Sequence, residues 1–269
     1  MIGKYVVRLS SLGYVAVILV APVALIFWRA FEHGLGPFWA AITTPDAVHA
    51  LKLTLELTIV AVPLNTAFGI ACGLAIVRYR LPGMGLVNAL VDLPLALSPV
   101  VVGLALYLLY ARDGWFGTWL TDHGVQMLFA YPSMLLAMLF ISLPFVVREV
   151  VPVLREVGIE QEEAAATLGA SSLATFRRIT IPAIRWAVAY GVVLTTARCL
   201  GEFGAVSIVS GGIAGRTQVL TQYVQASYEN FDLTGAYAAS VLLAGLAIAT
   251  LVAMTVVKPK EERGGDRDA

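Results

Sequence analysis

Apolar residues gather into six long runs along the chain, separated by polar connections. Such runs approach the ~20 residues that an α-helix needs to cross the hydrocarbon core of a bilayer. The pattern predicts spans at about 12–28, 57–77, 90–110, 132–151, 186–209 and 235–257. One connection is much longer than most, the arginine-containing stretch 152–185 between the fourth and fifth runs. Lys4 and Arg8 precede the first run, as in a signal peptide. That run is long, however, and no small-x-small cleavage signal follows it, so it reads as an uncleaved anchor.

Composition carries the same message. The chain is 59% hydrophobic and 13% charged, with mean hydropathy +0.82; a soluble domain carries about 25% charged residues. The expected fold is an all-α polytopic membrane protein with six transmembrane helices. It forms a single domain over 1–269, with its core at about 50–257 and a charged tail at 258–269. Formal net charge is zero, which leaves no global basic face for nucleic acid. The distribution of charge is more telling. Lys4, Arg8, Arg78, Arg80, Arg148, Arg155, Arg177, Arg178, Arg185, Lys258, Lys260, Arg263 and Arg267 fall on one side of the six-span scheme. Arg29, Lys52, Arg112 and Arg216 fall on the other, and Arg198 lies within a run. The positive-inside bias puts the first set, both termini and the 152–185 stretch in the cytoplasm. Cys72 and Cys199 sit in apolar runs, where a thiol behaves as a small hydrophobe. His33, His49 and His123 lie in connections and have no metal-binding spacing.

Prolines punctuate the runs at Pro22, Pro63, Pro94, Pro99 and Pro144. Each removes a backbone donor and favours a kink. Pro94 and Pro99 flank Ser98, which makes that run the first place to seek a hinge or the polar lining of a path; packing alone is the plainer alternative. Gly69 and Gly73 form a GxxxG pair that lets helices approach closely, inside the chain or against a partner.

Glu160, Glu162 and Glu163 open a helix-forming segment over 160–168, where acidic side chains complement the helix dipole. Gly169 stands where a left-handed C-terminal cap belongs, and Ser171 or Ser172 can start a second helix over 173–180. Ile181 precedes Pro182, which biases the chain to leave the helix before it re-enters the membrane at Trp186. Ala164, Ala165 and Ala166 expose a small-residue surface suited to a groove in another protein. A loop resting on the bilayer, with Arg177 and Arg178 at lipid phosphates, is the alternative.

The spacing Glu163-Ala164-Ala165-x3-Gly169-x9-Ile179-x-Ile181-Pro182 resembles the EAA loop of bacterial ABC importer permeases, although Ile181 stands where that family usually has Leu. The resemblance implies the type I importer transmembrane fold, with a cytoplasmic coupling helix between spans four and five. It also implies that Glu163, Ala164, Ala165, Gly169, Ile179 and Pro182 belong to a surface docked on an ATPase dimer. The stretch Ala197-Arg198-Cys199-Leu200-Gly201-Glu202-Phe203-Gly204-Ala205, running on through Val206-Ser207-Ile208-Val209-Ser210-Gly211 to Gly215-Arg216-Thr217, is similar to the sulfate/thiosulfate permeases, W-type subunit. Molybdate and tungstate permeases share its Gly-Glu-Phe-Gly-Ala core. By resemblance, the chain is an anion-importing subunit of the bacterial inner membrane. Its implied partners are a second permease (a T-type homologue or a second copy) and an extracytoplasmic sulfate-binding protein. ATP and Mg belong to the ATPase subunits, and this chain itself carries no cofactor.

Arg198 and Glu202 are charges within a predicted span, four residues apart and able to pair. The pair is either self-compensating structure or a source of positive potential for an anion path. Ser207, Ser210, Gly211 and Ser98 are the other candidates to line that path, by transient contacts only, because passage requires release. The external segment 210–234, with Gln218, Gln222, Tyr223, Gln225 and Tyr228, either caps the path, meets a binding protein or is an ordinary polar loop.

No Gly-x4-Gly-Lys-Ser/Thr loop occurs, so nucleotide hydrolysis is not expected of this chain. An intramembrane enzyme lacks support, since GxSxG and HExxH are both missing. An ATP-independent transporter would need coupling charges at mid-membrane, for which only Arg198, Glu202 and Asp92 qualify.

Overall fold

The computed structural model describes residues 2–79 and 83–257. Arg80 and the charged tail from 258 lie outside the described residues. The chain is helical throughout its long elements: α1 (Ile2–Val15), a π-turn (Ala16–Val20), α2 (Ala21–Phe31), α3 (Leu35–Ile42), α4 (Pro45–Arg78), α5 (Met84–Ala96), α6 (Pro99–Tyr110), α7 (Gly117–Asp122) and α8 (Tyr131–Val157). After these come α9 (Glu160–Thr167), α10 (Ser172–Thr175), a second π-turn (Phe176–Thr180), α11 (Ile181–Leu200), α12 (Gly204–Ser210), α13 (Leu220–Glu229) and α14 (Leu233–Val257). Among the described residues five helices are long and apolar enough to cross a membrane, and α5 with α6 forms a sixth candidate bent by 109°.

The long helix α4 starts at a Thr44 cap, whose hydroxyl accepts from the Ala47 amide at 3.3 Å, with Pro45 in the first turn. It runs for 34 residues, about 51 Å at 1.5 Å per residue. At its far end Arg78 donates to the Leu154 and Gly158 carbonyls at the end of α8. The two helices are therefore parallel, so the segment between them must return the chain across the same thickness. The bent α5–α6 pair makes that crossing, and the six-span count holds.

The centre is a three-helix junction. Val146 of α8 lies between two glycines: a Cβ added to Gly69 of α4 would fall 2.6 Å from the Val146 Cβ, and one on Gly191 of α11 would fall 2.8 Å from its Cα. Gly73 repeats the contact one turn on, against Val150. The GxxxG pair thus serves packing inside the chain. Leu57, Met134, Met138, Val206 and Val209 form the core towards one end, and Val150, Leu154 and Ile184 towards the other. The first span is peripheral and meets the rest through Ala30, packed with Phe38, Ala238 and Val241.

Of three sequence expectations, the hinge at Ser98 is met and two change. The run 90–110 is not one helix: Pro99 has no amide to donate and favours extended backbone in the residue before it, and Ser98 adopts φ −64°, ψ 136°. The run 186–209 also breaks, at Gly201–Phe203, because the Glu202 carboxylate accepts from the Ala205 amide at 2.8 Å and starts a new helix there. Pro182, by contrast, ends nothing. The π-turn before it lets the Ile181 amide reach the Phe176 carbonyl, and helix continues from Ser172 to Leu200. The first π-turn stands in the same register to Pro22. A wide turn in front of a proline spreads the carbonyls with which its ring would clash.

Candidate functional site

At the end of the molecule that carries Arg78, Arg155, Arg177, Arg178 and Arg185, α9 and α10 form a helical hairpin between α8 and α11. Gly169 has φ +81° and closes α9. Its amide bonds to the Ala166 carbonyl and that of Ala170 to the Ala165 carbonyl, both at 3.0 Å, which is a Schellman cap. Ser171 caps α10, its hydroxyl accepting from the Ala174 amide at 3.3 Å. Helix α9 buries none of its residues. Glu163, Ala164 and Gly169 are exposed, Ala165 is half-buried, and Leu168 at the tip is 88% exposed. Ile179 is half-buried and Pro182 exposed at the start of α11. Ser171, Leu173, Ala174, Arg177 and Arg178 line an open recess of about 450 Å³ beside the tip. The exposed surface here is made of small side chains and cationic groups.

Polar bonds hold the hairpin. Glu162 faces inward, and its carboxylate meets Arg78 Nε at 3.1 Å and Nη2 at 3.2 Å. Thr180 Oγ1 donates to the same carboxylate at 2.8 Å. The sequence pattern singled out Glu163; its neighbour Glu162 is the residue that faces the spans. Nothing local pointed to Arg78, because its partner is 84 residues away.

A second polar cluster lies where the two broken spans meet. Glu202 is 2% exposed, and its Oε2 lies 2.7 Å from Arg198 Nη2. The Arg198 side chain is 28% exposed. Gly204 of α12 and Pro99 of α6 touch: a Cβ on Gly204 would fall 2.9 Å from that of Pro99. This contact brings the Ser98 break, itself exposed, beside the break after Leu200. Ser207 Oγ donates to the Gly204 carbonyl at 2.8 Å. Ser210 is buried, and its hydroxyl accepts from Gln222 Nε2 at 2.8 Å and from the Gly212 amide at 3.1 Å. Gly211 is exposed, with φ +70°. The segment 210–234 is mostly ordered by these bonds. Gln222 Oε1 accepts from the Val219 amide at 3.0 Å, Thr217 Oγ1 donates to the Ser210 carbonyl at 2.6 Å, and Gln218 and Tyr223 are buried. Gln222 and Thr217 are structural residues that their polar neighbourhood in sequence did not distinguish.

Residues 65–263 match the profile of the binding-protein-dependent transport system inner membrane component family. The chain belongs to that family. A sulfate transport system permease protein CysW of Synechococcus elongatus is 46% identical over 253 residues, which is 94% of this chain and 88% of that protein. A sulfate transport system permease protein CysT of Salmonella typhimurium is 38% identical over 259 residues, 96% of this chain and 92% of that one. A chain of a bacterial alginate ABC transporter, solved with an alginate pentasaccharide-bound periplasmic protein, superposes with TM-score 0.77 at 18% identity, covering 94% of this chain and 92% of its own. The last likeness establishes a shared ABC permease fold. For an inner membrane component of this kind, the α9–α10 hairpin and the Arg198–Glu202 cluster are two separate sites. The first is exposed at one end of the molecule, and the second is a buried Glu202 beside a partly open Arg198 where two broken spans meet.

Proposed function

We propose that this chain is the permease subunit of an ATP-driven importer of sulfate, with thiosulfate as an alternative cargo, in a bacterial inner membrane with both termini in the cytoplasm. The observation that carries this reading is the exposed helix α9, fixed to the span ends, in a chain related over 94% of its length to a sulfate permease at 46% identity. Two ATPase subunits bind ATP with Mg and dock on Glu163, Ala164, Ala165 and Gly169. Their closure displaces the hairpin and switches the spans between inward and outward access. A second permease, a T-type homologue or another copy, completes the path, and a binding protein outside delivers the anion. Arg198 supplies positive potential near the meeting of the broken spans. Ser98, Ser207, Ser210 and Gly211 are the further residues of the path in this reading, through transient contacts. ATP drives this only by favouring one conformation of the permease over the other.

Complementation of a sulfate-uptake mutant tests the reading, scored by radiolabelled sulfate entry with thiosulfate, molybdate and tungstate as competitors. Restored uptake that disappears without the ATPase partner is the expected result. Preferential competition by molybdate or tungstate would move the cargo to those anions. Uptake that survives loss of every partner ATPase would replace the importer by a secondary transporter.

A further inference from the structure

We infer that Arg78, Glu162 and Thr180 form a positioning linkage through which movement of α9 is passed to three spans at once; the inference rests on the importer reading above. Arg78 is the last residue of α4. Its guanidinium donates to the Leu154 carbonyl at 3.1 Å and to the Gly158 carbonyl at 2.7 Å. These are terminal carbonyls of α8, which a cation complements in both hydrogen bonding and dipole. The same guanidinium grips Glu162 through two nitrogens, the fork geometry that restricts both distance and angle. Thr180, at the base of the helix that continues into α11, completes the carboxylate shell at 2.8 Å. The guanidinium and the carboxylate together thereby join the hairpin to the ends of α4, α8 and α11.

Burial and backbone geometry make this linkage decisive for transmission. The Arg78 and Glu162 side chains are 12% and 23% exposed, far drier than an ordinary surface pair. Helix α9 buries no residue fully and Ala165 only in part, so apolar packing ties it to the spans weakly. Its chain connections run through Gly158 and Gly169, with φ of +70° and +81°. With no Cβ at either position, few steric barriers oppose backbone rotation there once the bonds that hold it are lost. Without the fork, a push on α9 is absorbed at these glycines; with it, the push reaches three helix ends. Glu162 and Glu163 therefore divide the labour of one helical turn, the first facing the spans and the second open to a partner.

The test uses the full complex of both permeases, the ATPase subunits and the binding protein. It compares Arg78→Ala, Arg78→Lys, Glu162→Gln and Thr180→Val, each in an Ala164→Cys background that reports docking by crosslinking to the ATPase. The expected result is a crosslink and ATP hydrolysis that persist in Arg78→Ala and Glu162→Gln while sulfate transported per ATP falls about tenfold, the factor equivalent to one lost charge-assisted hydrogen bond. Arg78→Lys, which keeps the charge and loses the fork, falls between. Unchanged transport per ATP in both Arg78→Ala and Glu162→Gln overturns the linkage. So does loss of the crosslink together with uptake, which would make these residues supports for loop folding alone. If Arg78→Ala does not assemble, Glu162→Gln and Thr180→Val decide by the same ratio. Wild-type uptake that persists without the ATPase overturns the importer reading itself, and this control separates the two failures.

Discussion

Removing Arg198 separates the two roles open to the Arg198–Glu202 pair. In Arg198→Ala the Glu202 carboxylate keeps its bond from the Ala205 amide but loses the cation 2.7 Å from its second oxygen, in a position only 2% exposed. Breaking a buried pair from one side costs ~3–5 kcal/mol. The Arg198 side chain is 28% open, so the lower end, about 3 kcal/mol, applies here. At 2–4 °C per kcal/mol for a domain of this size, the thermal midpoint of the detergent-solubilised complex should fall by roughly 6–12 °C. Adding Glu202→Gln removes the stranded charge and keeps an acceptor for Ala205, so most of the loss should return. Uptake of radiolabelled sulfate separates the roles. If Arg198 supplies potential to the anion, the double variant is stable yet transports poorly. An Arg198→Ala midpoint within about 2 °C of wild type would refute the burial argument. A double variant that regains uptake along with stability would refute the anion role.

Close packing at Val146 makes Gly191→Ala destabilising by about 1–3 kcal/mol, because the new methyl meets backbone that cannot move aside. Gly245→Ala, which has nothing within 4 Å, is the neutral control in the same melting assay. Replacing Ala164 by Trp should abolish uptake without lowering the melting midpoint of the isolated permease, since α9 buries nothing; a wild-type uptake rate would remove Ala164 from the docking surface. Gln222→Ala strips partners from the buried Ser210 hydroxyl and the Val219 amide and should cost about 1–3 kcal/mol. Faster hydrogen exchange at the 210–234 segment would register it, and unchanged exchange would contradict the assigned network.

Features that depend on neighbours within a few turns could be read along the chain. Six apolar runs matched the thickness of a membrane, and the acidic start of α9, the left-handed Gly169 and the Ser171 cap were legible because each is decided within about four residues. The spacing from Glu163 to Pro182 was legible for the same reason, as a local pattern. Tertiary structure decided the rest. Pro182 reads as a helix terminator, yet the preceding π-turn carries the helix through it. Run three carried a hinge candidate at Ser98 and bends there, but run five read as one span and breaks at Gly201–Phe203, and only packing brings the pieces α6 and α12 together where Gly204 meets Pro99. Arg78 reads as one more cytoplasmic arginine, and only its carboxylate 84 residues away makes it the tie between hairpin and spans. Hydropathy records how much each residue avoids water and nothing about which distant residue it will meet. Bends, breaks and ion pairs arise where two segments compete for the same space, and that competition exists only once the helices are packed.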